Sequence, residues 1–512
     1  GNDLNISNNN ILIKDDLSLI RNNINSTITI KNSIIEGDVD LSEKTFNNKV
    51  SFENSVFCGN VRIEGSAFRS DLSFKKCHFI NVSFSRSNFK NANFGELLIN
   101  GSADFGETTF EKYANFESST FSGKSNFAGA NFLWGTGFGK CNFTKDVDFS
   151  RSLFKSNLGF SSANFRKNAS FSQGIFSDAV FKDSSFFGEA DLSDCTFNKQ
   201  CNFLSSDFHG NVTMSGTKFL ENADFSLSKF LNDADFKNSK FSKKAEFAGV
   251  RFGKNADFSG CIFNESLNLR KSIFNGTTSF TDSDINGNLL AEEAHFNEAL
   301  NLNRTKYKNI YIKWDNVGTV KYNETAYYLL ISNFKNLGLF SDANKCYYDF
   351  MSEMANQSKY QTFAGRPDTF LPSFVYLFAK ELYGFGTKPE LPLIYSTALI
   401  LFFALIWHFK YLSSRTMSGN IYDRYGSAKN GNKALSSNGN LYSGFLRFIN
   451  ALTFSINIFL SGTKLFVDPP EMPKRTKGSQ IWMNRIYLLE RTLGAGFFFL
   501  FFFAISNTLL SF

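Results

Sequence analysis

Phenylalanine recurs along this chain at a spacing that alternates between five and six residues. One row runs through Phe105, Phe110, Phe116, Phe121, Phe127 and Phe132 and continues to Phe171. It resumes as Phe219, Phe225, Phe230, Phe236 and Phe241 and reaches Phe263. An amphipathic helix repeats its apolar residues every three or four positions and a half-buried strand every two. Neither period fits. A longer, fixed period of one bulky residue marks a solenoid, whose short units each turn a corner and send one side chain to a shared central stack.

The residue two places before each Phe is small: Ala103 before Phe105, Ala114 before Phe116, Ala223 before Phe225, with Ser228 and Cys141 in the same place before Phe230 and Phe143. One large and one small inward residue per unit, with an outward polar residue between them, fill a narrow tube without clashes. The register extends upstream through Leu41, Ile35, Ile30, Ile24 and Leu19, and downstream through Leu269, Phe274, Phe280, Ile285, Leu290, Phe296 and Leu302. This unit resembles the pentapeptide-repeat family, and the resemblance implies a right-handed, four-sided β-helix, a mainly β solenoid, over residues 1–312. The departure is that six-residue steps alternate with five-residue ones. Four sides then take about 22 residues, which predicts an extra residue bulged at two corners. Successive five-residue steps from Phe74 to Ile99 and from Phe171 to Phe186 predict local changes in coil cross-section. Some 13 coils at a rise of about 4.8 Å make a rod on the order of 60 Å long.

The formal charge of +7 is unevenly placed: residues up to Ile310 carry 34 basic and 35 acidic side chains, so the excess lies beyond them. A rod that imitated DNA would need a dense negative surface to compete for a phosphate-binding partner. This one lacks it, and no nucleic-acid partner is expected. Five of the seven cysteines, Cys77, Cys141, Cys195, Cys201 and Cys261, occupy the small inward place and read as apolar fillers. The odd count, the lack of a Cys-x-x-Cys pair and the lack of a leader favour a reducing compartment. His78, His209, His295 and His408 are scattered, so no catalytic residues, metal site or cofactor are expected. The outward Asp residues beside Phe read as a solvated face.

Beyond Val320 the rhythm stops. Tyr327, Tyr328, Leu329, Phe334 and Leu337 recur at helical spacing, Gly338 breaks the pattern, and Ser341-Asp342 suits the cap of a second helix carrying Ala343, Cys346, Tyr347, Phe350 and Met354. The run Leu337-Gly338-Leu339-Phe340 with Ala343 and Tyr347 resembles the waist of a tetratricopeptide hairpin. A cap on the open end of the β-helix is the favoured role for this hairpin, residues 320–360. Residues 361–390 form a juxtamembrane linker with an interfacial helix from Phe370 to Tyr383, and Gly384-Phe385-Gly386 suits a hinge.

Residues 391–512 are expected in the membrane. Leu391 to Phe409 has no charge and is long enough to cross a bilayer core, and a second run reaches from Ile486 to Leu510. Between them, Phe445 to Leu460 is apolar but carries Arg447, Asn450 and Asn457, which make a full span costly and favour a short re-entrant helix. Span, short helix starting Leu452-Thr453-Phe454-Ser455, loop and span resembles the two-transmembrane potassium-channel-like superfamily, with Arg485-Ile486-Tyr487-Leu488-Leu489-Glu490-Arg491-Thr492-Leu493-Gly494 matching the start of its inner helix. The resemblance implies pore-lining candidates Thr453, Ser455, Asn457, Ser461, Gly462, Thr463 and Lys464, and gating candidates Glu490, Arg491, Gly494 and Gly496. It also implies a homo-oligomer around one axis, a tetramer being the favoured arrangement. A potassium filter needs a Thr-Val-Gly-Tyr-Gly-like loop. Ser461-Gly462-Thr463-Lys464-Leu465-Phe466 has one Gly and a lysine, so a pore without potassium selectivity is expected. The expected function is a multi-pass, channel-like membrane protein in the lipid bilayer, its rod a cytoplasmic assembly or sensor domain. The alternative is a membrane-anchored scaffold whose rod binds a protein partner.

Overall fold

The computed structural model describes the backbone of residues 6–321, 323–363, 370–410, 439–463, 467–471 and 477–509, in two compact units, Gly1–Asn333 and Phe334–Phe512. The first unit is a four-sided β-helix of about 14 turns. Its sides are mostly two-residue strands such as Thr109–Phe110, Ala114–Asn115 and Thr120–Phe121, each paired in parallel with the strand four places on. Thr120 thus lies against Asn142, and Asn142 against Asn164.

Inside, Phe residues stack coil on coil. The Phe105 and Phe127 rings lie 4.8 Å apart at 2°, and Phe116 and Phe138 lie 4.6 Å apart at 4°. Neighbouring sides meet edge-on, as in Phe105 against Phe116 at 5.3 Å and 88°. Both geometries are favourable for aromatic quadrupoles, so one residue type serves all four walls. Around His78–Leu98 and Leu158–Ala179 the coils are one or two residues shorter, where the sequence runs five-residue steps in succession.

The corners come in two kinds. Five-residue steps close in a tight turn, with the Thr108 N–H donating to the Phe105 carbonyl and the Ser119 N–H to that of Phe116. Glu107 and Ser118 sit there at φ 57° and 60°, a left-handed conformation that glycine adopts at least cost. Gly129 and Gly216 hold the equivalent corners elsewhere. Six-residue steps, as at Glu111-Lys112, open into a bend without positive φ, and their extra residue lies there. Ladder irregularities occur instead between Phe57 and Asn60, Phe68 and Asp71, and Phe296 and Ala299.

The small inward residue also has a polar task. Ser119 Oγ donates to the Phe94 carbonyl at 2.8 Å and Ser152 Oγ to that of Phe127 at 2.7 Å, each reaching back to the preceding coil. Cys141 Sγ and Cys261 Sγ make the same bond, at 2.9 Å, to Phe116 and Phe236. Reading these cysteines only as fillers is therefore incomplete. Burial pushes the Cys77, Cys141 and Cys195 thiols up to about 12, so they stay protonated and able to donate. The outward Asp residues likewise hold turns: Asp148, Asp224 and Asp257 accept the N–H two residues on, at 2.7–2.9 Å.

At the C-terminal end of the coil, helix α1 (Glu324–Asn336) covers the open edge. Buried Asn333 stands in for the next strand, its Oδ1 accepting the Ile310 N–H at 3.0 Å and its Nδ2 donating to the Ile310 carbonyl at 2.9 Å. This satisfies an edge that would otherwise pair with another chain. The cavity left between Phe280, Leu302, Trp314 and Leu330 is about 10 Å³, too small for a ligand.

The second unit begins at the end of α1. Gly338, at φ 71°, ends that helix, with the Leu339 N–H donating to the Phe334 carbonyl and the Gly338 N–H to that of Lys335. Helix α2 (Phe340–Phe363) starts one residue before the expected Ser341 cap, with the Leu339 carbonyl accepting the Ala343 N–H. Helix α3 (Phe370–Tyr383) leads into Gly384, Phe385 and Gly386 at φ 57°, 54° and 84°. Phe385 is buried against Tyr348 and Tyr376, so the expected hinge is a packed left-handed elbow. Helices α4 (Glu390–Lys410), α5 (Gly439–Leu460) and α6 (Lys477–Leu509) follow. By length and composition, Glu390–Phe409, Phe445–Thr463 and Gln480–Ser506 are each apolar enough to cross a membrane. The segment expected as a short re-entrant helix is thus a long one, and α6 starts well before the expected Ile486.

Candidate functional site

Helices α4, α5 and α6 pack around Phe403, Trp407, Ala451, Ile458, Met483 and Ile486. On α6 the inward residues Met483, Ile486, Glu490 and Leu493 recur every three or four positions, one face of a helix. Its outward residues include Leu488, Leu489, Phe499 and Phe502, and those of α4 include Leu393, Ile394, Leu401 and Phe402. Large apolar side chains on the outer face of an apolar core, with Ser455 and Glu490 buried inside it, depart from the pattern of a water-soluble bundle. The arrangement is compatible with a lipid surround, in which hydrocarbon would solvate the outer face.

Contacts fix the helix directions. Trp407 packs edge-on to Phe454 at 5.2 Å, His408 lies against Phe448, and the Ile400 carbonyl meets Ser455, so α4 and α5 are antiparallel. Ser455 meets Glu490, Phe459 meets Gly494, and Gly462 meets Ala495, so α5 and α6 run in the same direction. The end of α5 therefore lies abreast of residues 491–495, about 21 Å along α6 from Lys477, with about 21 Å of α6 still beyond. The first half of α6 therefore lies beside α5, and its second half continues past the end of α5.

Eight of the eleven sequence-predicted residues fall into three groups. Ser455 and Glu490, both fully buried, sit at the centre of the bundle: Ser455 Oγ contacts Glu490 Oε1 and lies 2.9 Å from the Ile400 carbonyl, while Trp407 Nε1–H donates to Glu490 Oε2 at 2.7 Å. Ser461, Gly462, Arg491 and Gly494 join the end of α5 to α6. A Cβ at Gly494 would strike the Phe459 carbonyl, and one at Gly462 would lie 2.5 Å from the Arg491 carbonyl oxygen. Arg491 Nε donates to the Ser461 carbonyl at 3.3 Å, a cation at a helix C-terminus, and Ser461 Oγ donates to the Ile458 carbonyl at 2.8 Å. Thr453 and Asn457 lie on another face of α5, Thr453 exposed and donating to the Ile449 carbonyl at 2.9 Å, Asn457 half-buried. Gly496 is open to its surroundings, Thr463 is half-buried beyond α5, and Lys464 lies outside the described residues.

Two participants were missed. Trp407 was only the aromatic end of a span in the sequence, yet a buried indole N–H needs an acceptor, and Glu490 supplies it. Asn450, counted only as a cost of burial, is exposed on the Thr453 and Asn457 face of α5, which makes a polar stripe at a spacing of three and four. Among the described residues no cluster of three or more His, Cys, Asp or Glu is placed to hold a metal.

The family model for pentapeptide repeats matches nine copies, over residues 30–78, 215–262 and 258–306, so the solenoid is a pentapeptide-repeat β-helix, a structural or scaffold fold. No curated protein matches the chain.

Proposed function

We propose, from a pentapeptide-repeat β-helix joined to a helical bundle with an apolar outer face, that this chain is one subunit of an oligomeric membrane pore. Helices α4 and α6 cross the bilayer, and α5 enters and returns as a pore helix. The observation that carries this is the parallel register of α5 on α6, with α5 ending halfway along its neighbour. The Asn450, Thr453 and Asn457 stripe supports it, because uncharged polar side chains turned away from the bundle in hydrocarbon need water or a polar partner. Several copies around an axis, four in the favoured arrangement, bring these stripes together as an aqueous lining. The sequence Ser461-Gly462-Thr463-Lys464 that follows α5, with one Gly and a lysine, disfavours potassium selectivity and suits an unselective or anion-tolerant pore. The β-helix serves as an assembly or sensor domain, kept in the cytoplasm, where its cysteines remain unpaired.

Purified protein in planar bilayers tests this. Discrete conductance steps, altered by Thr453→Val with Asn457→Leu, are expected. A silent bilayer, or a monomer by mass measurement in nanodiscs, sinks the pore reading and leaves a membrane-anchored scaffold whose rod meets a protein partner.

A further inference from the structure

Ser455 Oγ touches two oxygens at once, the Ile400 carbonyl of α4 and Glu490 Oε1 of α6. A hydroxyl has one hydrogen to give. With Glu490 ionised, both neighbours are acceptors, and one of the two contacts lacks a hydrogen. With Glu490 protonated, its O–H donates to Ser455 Oγ, Ser455 donates on to Ile400, and Trp407 Nε1–H donates to the other carboxyl oxygen at 2.7 Å. The network then closes with every contact filled.

Among the described residues no cation replaces that proton. On α6 the neighbouring titratable groups are Tyr487, which packs on the core, and Arg491, which donates to the Ser461 carbonyl. On α4 the nearest is His408, whose ring lies against Phe409 and Phe448. On α5 the charged residue is Arg447, exposed two turns before Ser455. Among the described residues none forms an ion pair with Glu490, and an unpaired carboxylate inside a membrane bundle is costly.

We propose that Glu490 is a proton-binding site that latches the pore helix α5 to α4. Holding the proton, Glu490 leaves the Ser455 hydrogen with the Ile400 carbonyl and ties the two helices together. Releasing the proton to water draws the Ser455 hydrogen to the carboxylate, and the α4–α5 bond is lost. No other bond changes. The role in a pore rests on the proposed function above, but the proton site does not.

The test uses the full-length protein in lipid nanodiscs. Infrared difference spectra between acid and alkaline buffer should show a carboxylic-acid carbonyl band that disappears in Glu490→Gln and shifts in Ser455→Ala. Gln keeps both bonds, its amide N–H donating to Ser455 and its carbonyl accepting from Trp407, so the variant folds. With Trp134, Trp314 and Trp482 replaced by Phe, the remaining Trp407 emission should change with pH, and the change should be lost in Glu490→Gln. A carboxyl band absent from the native protein or untouched by Glu490→Gln, or the same pH-dependent emission in the Gln variant, overturns the proposal. Neither readout needs conductance, so a silent bilayer removes the pore and leaves the proton site standing.

Discussion

Truncating one ring in the middle of the Phe ladder measures how the solenoid stores its stability. Phe127 is fully buried, stacked on Phe105 at 4.8 Å and on Phe149 at 4.7 Å, and met edge-on by Phe116 and Phe138 at 5.6 and 5.3 Å. Phe→Ala in a core costs about 3–5 kcal/mol, the spread reflecting how far the site collapses. Here it cannot collapse, because ladder hydrogen bonds such as that from the Phe127 N–H to the Asp148 carbonyl at 2.6 Å hold the coils at their spacing. The upper end, about 5 kcal/mol, is expected for Phe127→Ala. Because each coil contacts only its neighbours, the loss should also split unfolding into two steps. The assay is urea unfolding of the β-helix followed by circular dichroism, with the exposed Phe187→Ala as control, expected to change stability by less than about 0.5 kcal/mol. A loss at Phe127 below about 1.5 kcal/mol, or one no larger than at Phe187, refutes the rigid-ladder reasoning.

Cys141→Ser should keep the bond to the Phe116 carbonyl and cost little at neutral pH, whereas Cys141→Val should destabilise by about 1–3 kcal/mol by leaving a buried carbonyl without that donor. Because burial raises the Cys141 thiol from 9.0 to about 12, the unfolded chain ionises first, and stability falls between those values by up to about 1.4 kcal/mol per pH unit for this thiol. Denaturant titrations across that window should show the slope lessened in the Ser variant, and an unchanged slope contradicts the assignment. Asn333→Leu removes both bonds to Ile310 and should expose the coil edge, read as faster amide exchange at Ile310 and concentration-dependent association; unchanged exchange contradicts the capping role. Cys58 is the one exposed cysteine, so a membrane-impermeant maleimide should label it only in opened cells if the rod is cytoplasmic, and labelling in intact cells places the rod outside.

The rod was legible because one Phe per unit creates a period that no helix or single strand shares, and its small partner fixes which way each unit faces. The corners were less so. Glu107, Ser118 and Arg151 take left-handed turns with side chains that do not announce them, since the ladder imposes the turn from outside. The hydrogen bond from Cys141 was hidden because its acceptor lies a full coil away. In the second unit, apolar runs gave α4 and α6, but Arg447 and Asn450 lowered the hydropathy of α5 and concealed its length. Glu490 and Ser455 were visible as candidates, while Trp407, 83 residues from Glu490 in sequence, joins them only through tertiary packing.

The parallel course of α5 and α6 is tested most directly by asking on which side of the membrane the two ends of α5 lie. In a background with Cys58→Ser, single cysteines at Phe445, Asn450, Thr453, Asn457 and Asp468 are labelled with an impermeant maleimide applied from one side at a time. A re-entrant α5 predicts that Phe445 and Asp468 label from the same side, with Asn450, Thr453 and Asn457 reactive between them. Labelling of Phe445 and Asp468 from opposite sides, with the polar stripe unreactive, makes α5 a third span and contradicts the pore.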